Sequence, residues 1–285
     1  MDLLKRNFDE QLYNYISQYA PSEKEMGLIK DIFEGGKRLR PIICLAIASS
    51  FKNEQKPIEK IAIAIELIHN ASLIIDDLPC MDNDLYRRNQ KTIHYKYGET
   101  VALLEAFKLM GIALNLIFQT VAKLDNDNTA SKNRIFVFNE IIYKNLGRDG
   151  LPMGQYIDIK LLKNQFTISN KKQHKDLIFK KTTTLFNLSF LLSFALYTSD
   201  RNKLTIMEKA SKWFGLAFQI YDDFTDISQD CDKNSPNIVN KFGKETAFEL
   251  FNKAVKKTKK YLNELEINLE YFNQILDKLS SNIHL

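Results

Sequence analysis

The sequence predicts an all-α protein folded as a single-domain helical bundle, on three observations. Nearly every long stretch of the 285-residue chain repeats its apolar residues at helical spacing. Period-two alternation bounded by hairpin turns is nearly absent. Only 10 Gly and 6 Pro occur, few for a sheet protein with many tight turns. No Gly/Pro/Ser-rich linker or fixed-period repeat divides the chain, so one domain over residues 1–285 is expected. A hydrophobic content of 45% supplies a large core.

Residues 3–18 read as an amphipathic helix. Residues 39–51 and 58–78 are apolar on most faces, as buried helices are. Helical spacing continues through 99–123, 133–147, 174–198, 203–228 and 244–262, with a weaker tail helix from Ile267 to Ile283. Loop signals fall at 52–57, 85–98, 124–132, 148–152, 199–202 and 230–242.

Composition narrows the function classes. The net charge of +5 is modest, and the Lys runs at 171–175 and 256–260 read as solvated faces. No aromatic-interleaved basic stripe suggests a nucleic-acid partner. Cys44, Cys80 and Cys231 are widely spread, with neither a disulfide framework nor zinc spacing, which fits a reducing compartment. The N-terminal segment carries Asp2, Asp9 and Glu10, unlike an acid-poor transit peptide. Leu185 to Tyr197, read as the most apolar long segment, is too short for a bilayer. A soluble, cytoplasmic protein without a membrane span is expected.

Two aspartate clusters carry the chemistry. The first is Asp76-Asp77-Leu78-Pro79-Cys80-Met81-Asp82, with Asp84 beyond it; the second is Asp222-Asp223-Phe224-Thr225-Asp226. A lone Asp-Asp pair is usually a solvated helix end or cap. Two such pairs, each behind an apolar helix and joined by enough chain to fold face to face, are a different matter. Carboxylates about 6 Å apart repel by roughly 3 kcal/mol per pair at an effective dielectric of about 20. Converging clusters therefore call for a cation, and Mg²⁺ combines one or two carboxylates with substrate phosphates. Asp76, Asp77, Asp82, Asp222, Asp223 and Asp226 are the candidate metal residues. Asp222 and Asp226 share a helix face, with Asp223 about 100° away. Pro79 should end or bulge the first helix and let Asp82 swing back toward Asp76.

A diphosphate also needs positive side chains. Gly35-Gly36-Lys37-Arg38-Leu39-Arg40-Pro41 places three cations at a helix entry, where anions bind well. By itself such a segment is more often a solvated basic turn. Arg87-Arg88 follows the first cluster and can serve two phosphate groups. Lys181-Thr182 precedes an apolar helix, and Gln219 lies three residues before Asp222. A Gln there is ordinarily a satisfied polar residue, but its carbonyl can also face developing positive charge. His69, seven residues before Asp76, is either a satisfied core group or a phosphate contact.

These residues in this order resemble the trans-prenyl (polyprenyl) diphosphate synthase family. The likeness runs from Gly35 through the Asp-rich motif with Arg87-Arg88, Gly154-Gln155-x-x-Asp158 and Lys181-Thr182 to Phe218-Gln219-x-x-Asp222-Asp223-x-x-Asp226, then weakly through Asp232-Lys233-Asn234-Ser235-Pro236. It implies an isoprenoid-synthase bundle with a central cavity, a homodimer, and condensation of isopentenyl diphosphate with an allylic diphosphate. Lys37, Arg40, His69 and Arg88 would bind isopentenyl diphosphate. Three Mg²⁺ held by Asp76, Asp82, Asp222 and Asp226 would bind the allylic diphosphate, assisted by Arg87, Lys181 and Lys233. Gln219 and Thr182 would face the cation.

The chain departs from that pattern at Asn89-Gln90-Lys91, at Glu105-Ala106-Phe107, at Thr183 and in a shortened loop after Asp226. Product length is expected from Ala71 and Ser72, five and four residues before Asp76. In the resembling family an aromatic at the fifth position stops growth at fifteen carbons; Ala71 does not. Phe107, with Met110 and Leu114, is either a channel floor or plain packing. Geranylgeranyl diphosphate is the expected main product, farnesyl diphosphate the runner-up. A non-catalytic subunit of a heteromeric synthase is the reading from another class, and a terpene cyclase would have no use for the isopentenyl set.

Overall fold

The computed structural model describes residues 2–51, 57–124, 128–147, 150–162, 179–226, 237–281 and 283. The described residues are almost wholly helical, as the periodicity predicts, and the chain divides into two compact units. The first comprises residues 1–45 and 55–131, the second residues 46–54 and 132–285.

In the first unit, α1 (Asp2–Ile16) buries Phe8, Leu12 and Ile16, a single stripe at helical spacing. Helix α2 (Glu23–Phe33) is absent from the predicted set, although its start signal stands in the sequence. Ser22 accepts from the Glu25 N–H while the Glu25 carboxylate accepts from Ser22, a capping box. Helix α3 (Leu39–Ala48) begins in this unit and ends in the other. Helix α4 (Ile58–Asp76) is buried around most of its circumference and packs along α6 (Glu99–Ala122). Ala102, Ala106 and Ala113 lie on the buried face of α6, where small side chains permit close approach.

Residues 85–98 hold more than the expected loop. Strands β1 (Tyr86–Arg87) and β2 (Gln90–Lys91) form a minimal antiparallel hairpin, and α5 (Ile93–Tyr97) follows. Helix α6 is long and apolar enough to cross a membrane by length and composition. It is longer than Leu185–Tyr197, the segment the sequence singles out as most apolar. Within this unit it behaves as a core helix on one face and leaves Leu103, Leu104 and Phe107 exposed on the other.

The second unit receives α7 (Asn128–Leu146) from Lys132 onward and adds α8 (Leu151–Leu162). A wide π-type turn, Phe179–Thr183, runs directly into α9 (Thr184–Ala195), whose residues are all buried. Helix α10 (Arg201–Thr225) packs against α9 and α12 (Lys244–Glu264), and α13 (Glu270–Ser281) closes the chain. The short α11 (Ile238–Phe242) lies in a stretch read from sequence as loop. Its signal is Asn237, whose side chain accepts from the N–H groups of Val239 and Asn240 as an N-cap. Phe186, Phe190, Phe214 and Phe272 fill the core, with the Phe186 and Phe214 centroids 5.1 Å apart at 70°.

Candidate active site

The first aspartate motif terminates α4 as Pro79 requires. The helix ends at Asp76, Asp77 is its C-cap, and the Asp82 N–H returns to the Asp76 carbonyl at 2.9 Å. The loop thus closes on itself and joins the backbones of Asp76 and Asp82. Both side chains are half-buried, whereas Asp77 is only 4% exposed. One Asp77 oxygen accepts from Arg87 Nε at 2.7 Å and Nη2 at 2.6 Å, and Arg87 also reaches Asp84 at 3.5 Å. Burial pushes the Asp77 carboxyl up, and Arg87 pulls it back. Burial would lower Arg87, but Asp77, Asp84 and Asp76 hold it charged. Two nitrogens on one oxygen make this a charged pair. Asp77 therefore anchors the hairpin instead of facing outward.

The hairpin turn explains one departure from the family pattern. Arg88 (φ 54°) and Asn89 (φ 63°) are its two central residues, both left-handed as a type I′ turn demands. Glycine is the usual solution there, and Asn is among the side chains that tolerate it.

The cations of the first unit divide by role. Lys37 is exposed and Arg40 half-buried, while Arg38 is buried. Arg38 Nε donates to Asp9 at 2.6 Å and Nη1 to Glu66 at 3.0 Å, and Nη2 donates to the Phe33 carbonyl. A side chain at Gly36 would collide with the Arg38 guanidinium, so the glycine admits this buried arginine. Arg38 holds the turn from inside, and Lys37 and Arg40 flank it. Nothing in the sequence pattern marked Asp9 or Glu66 as its partners.

Arg40 Nη1 meets His69 Nε2 at 3.2 Å. Arginine has no acceptor, so Nε2 accepts and the imidazole proton resides on Nδ1. Burial, then Arg40, Arg88, Arg87 and Arg38, hold His69 far below the usual imidazole range. His69 is neutral, with the Arg40 guanidinium against its ring.

The second motif repeats the arrangement with other atoms. Asp222 is half-buried, Asp226 exposed, and the Asp226 N–H caps α10 on the Asp222 carbonyl at 3.0 Å. Asp223 is 5% exposed. One of its oxygens accepts from Gln219 Nε2 at 2.8 Å and the other from the Ile238 N–H at 2.7 Å. The Gln219 amide oxygen accepts from the Thr182 hydroxyl. Both ends of that amide are thus engaged inside the second unit.

The remaining expected residues are placed as follows. Ala71 is fully buried on α4, and buried Ser72 donates its hydroxyl to the His69 carbonyl at 2.8 Å. Phe107 is 67% exposed on the α6 face that does not pack on α4, so it does not floor a channel within this chain. The Lys181 backbone belongs to the π-type turn, but its side chain lies outside the described residues. Lys233 and the loop expected to be shortened lie outside them as well. Gln155 and Asp158 are buried on α8.

A family model described as polyprenyl synthetase matches residues 25–275. The chain belongs to the polyprenyl synthetase family. A farnesyl diphosphate synthase of Buchnera aphidicola (from Acyrthosiphon pisum) is 33% identical over 237 residues, covering 79% of this chain and 78% of the relative. The large subunit 1 of a heterodimeric geranylgeranyl pyrophosphate synthase from Arabidopsis thaliana is 31% identical over 70% of this chain and 52% of its own length. In fold, the chain is similar to a geranyltransferase from Legionella pneumophila, with a TM-score of 0.83, 22% identity, and coverage of 100% and 98% of the two chains. It is also similar to a Helicobacter pylori geranyltransferase solved with magnesium and isoprenyl diphosphate, with a TM-score of 0.74, 27% identity, and coverage of 97% and 95%. This polyprenyl synthetase is a prenyltransferase, a trans-prenyl diphosphate synthase with the isoprenoid-synthase fold, from a Mg²⁺-dependent family acting on isoprenyl diphosphates.

The residues present fit that metal. Among the described residues no group of three or more His, Cys, Asp or Glu forms a site from protein ligands alone. Mg²⁺ needs none, since it takes one or two carboxylates and fills its shell with water and phosphate oxygens. Asp76 with Asp82, and Asp222 with Asp226, are hard oxygen donors of that kind, each set fixed by a backbone hydrogen bond.

Proposed function

We propose that this polyprenyl synthetase condenses isopentenyl diphosphate with allylic diphosphates, with geranylgeranyl diphosphate as main product. The carrying observation is the division of labour within the first unit. A carboxylate loop lies at the end of α4, and Arg40 meets His69 two turns earlier, within the field of Arg88. One arrangement suits a metal-bound diphosphate and the other a diphosphate held by side chains.

In this reading Lys37, Arg40 and Arg88 hold isopentenyl diphosphate, and neutral His69 orients Arg40 through Nε2. Asp76, Asp82, Asp222 and Asp226 would hold three Mg²⁺ against the allylic diphosphate, with Lys181 and Lys233 assisting. Bound Mg²⁺ supplies the positive charge that stabilises the leaving diphosphate. The allylic C–O bond breaks, the isopentenyl double bond attacks the resulting cation, and the departing diphosphate takes the proton lost from the new chain. Thr182 and Gln219 line the allylic side. Water must be excluded, because it would capture the cation.

Ala71 supports a product longer than fifteen carbons, because it carries no aromatic ring at the position where, in the resembling family, one stops growth. The farnesyl reading draws on the relatives of that name. We also propose a cytoplasmic homodimer. Leu104, Phe107, Leu114 and Phe118 follow at intervals of three, seven and four residues on α6, and Leu104 and Phe107 are well exposed. The test is incubation of the purified protein with Mg²⁺, isopentenyl diphosphate and a dimethylallyl, geranyl or farnesyl primer. A twenty-carbon product that vanishes with EDTA is expected. Termination at fifteen carbons favours the farnesyl reading, and no product from any primer overturns the activity. Light scattering should give twice the chain mass.

A further inference from the structure

The face of α10 that meets the π-type turn has three levels, Gly215, Gln219 and Asp223, spaced four residues apart and therefore aligned. At the top level Thr183, fully buried, packs against Gly215. A Cβ at Gly215 would lie 2.5 Å from Thr183 Oγ1 and 2.9 Å from its Cγ2. At the middle level the neighbouring Thr182 donates to Gln219, and Gln219 donates onward to Asp223. At the bottom Asp223 receives the Ile238 N–H that opens α11. The separation of turn and helix at the first level therefore sets whether the next two can form.

Two features show that shape, not hydrogen bonding, fixes the top level. The Thr183 hydroxyl is buried with no hydrogen-bond partner among the described residues. A β-branched side chain is stiff about χ1, so Thr183 cannot swing aside for a larger neighbour. Gly215 has no side chain to lose, and the room beside it is filled by the residue at which this chain departs from the family's glycine.

We propose that Thr183 and Gly215 are a complementary positioning pair. Their contact sets the spacing between the turn bearing Lys181 and Thr182 and the helix bearing Gln219 and Asp222, and hence the geometry on the allylic side. This rests on the reading of the second unit as serving the allylic diphosphate. Widening the gap with Gly215→Ala, or emptying it with Thr183→Gly, should then harm use of the allylic substrate selectively. A misplacement of about 1 Å can cost about a hundredfold in rate.

Steady-state kinetics with each substrate varied in turn test the pair in wild type, Gly215→Ala, Thr183→Gly, their double variant and Thr183→Val. Thermal unfolding of each variant reports on folding. Gly215→Ala should lower kcat/KM for the allylic substrate by about tenfold to a hundredfold while KM for isopentenyl diphosphate stays within about twofold. The double variant should recover most of the loss, because the methyl added at 215 occupies the space removed at 183. Thr183→Val, which keeps the branched shape, should outperform Thr183→Gly. A double variant no better than Gly215→Ala, or a KM for isopentenyl diphosphate that moves in step, overturns the pair. So does a Thr183→Val as damaged as Thr183→Gly, which would assign the role to the hydroxyl. An inactive wild type sinks the allylic reading and the positioning role together, whereas an active wild type with any of these failures sinks the pair alone.

Discussion

Asp77 and Asp223 hold the same place in their motifs and are anchored by different means. Asp77 is bound by a charge, the Arg87 guanidinium on the hairpin ten residues later. Among the described contacts, Asp223 accepts from neutral donors, a Gln219 amide one turn earlier and the N–H of Ile238 fifteen residues later. In each motif the neighbouring first aspartate is left half-buried. The proposed metal role of the first aspartate would make an Asp-Asp pair in this enzyme a bifunctional unit, with the more accessible carboxylate serving a ligand and the buried one fixing the chain beyond.

The largest effect should come from the outward members. Asp222→Ala should lower turnover by about 10²–10³-fold or more, the scale of losing one electrostatic transition-state contact, with an unchanged far-UV spectrum. Near-normal turnover in that folded variant would remove Asp222 from the metal set.

The two anchors should differ in stability. Arg87→Ala leaves Asp77 buried without its partner, a class of change worth about 3–5 kcal/mol. Arg87 is itself one-third exposed, so the lower end applies. Gln219→Ala removes a single donor to a carboxylate that keeps its backbone partner, worth about 1.5–3 kcal/mol. Urea midpoints should therefore rank wild type above Gln219→Ala above Arg87→Ala. The reverse order would mean that the neutral anchor carries more than the charged one.

A smaller effect separates the cation sets by pH. His69 titrates well below its ordinary value in the folded state because of burial and the surrounding arginines. A depressed folded value contributes stability above the unfolded pKa of about 6.5 and loses it as pH falls, because the unfolded chain takes up the proton first. The melting temperature of wild type relative to His69→Gln should therefore fall as pH is lowered from about 7.5 to about 5.5. A constant or growing advantage would contradict a neutral, buried His69.

Much of this was legible in the sequence, and what was not has a common physical cause. Pro79 announced the end of α4, and helical spacing announced nearly all the long helices. Local signals for α2 and α11 also stand in the sequence, in the Ser22–Glu25 capping box and the Asn237 cap, but without a long apolar period behind them. The distinction between outward and inward aspartates was not available, because it depends on partners ten and fifteen residues away. The same holds for Arg38, which looks like a third anion-binding cation until Asp9 and Glu66 enclose it. Phe107 belongs to an apolar helix whichever face is buried, and only the packing of α4 on α6 shows that it points outward.

The central claim is that each Asp-Asp pair separates a metal ligand from an anchor. The most direct measurement is the Mg²⁺-activation curve of condensation for four matched variants, Asp76→Asn, Asp77→Asn, Asp222→Asn and Asp223→Asn, with melting temperatures alongside. Asp76→Asn and Asp222→Asn should shift the activation curve to higher Mg²⁺ by about tenfold or more, the scale of one lost charge-assisted contact. Asp77→Asn and Asp223→Asn should lower the melting temperature and leave the midpoint of the curve in place. If either inward variant moved the Mg²⁺ midpoint as far as its neighbour while melting like wild type, the division into ligand and anchor would be wrong.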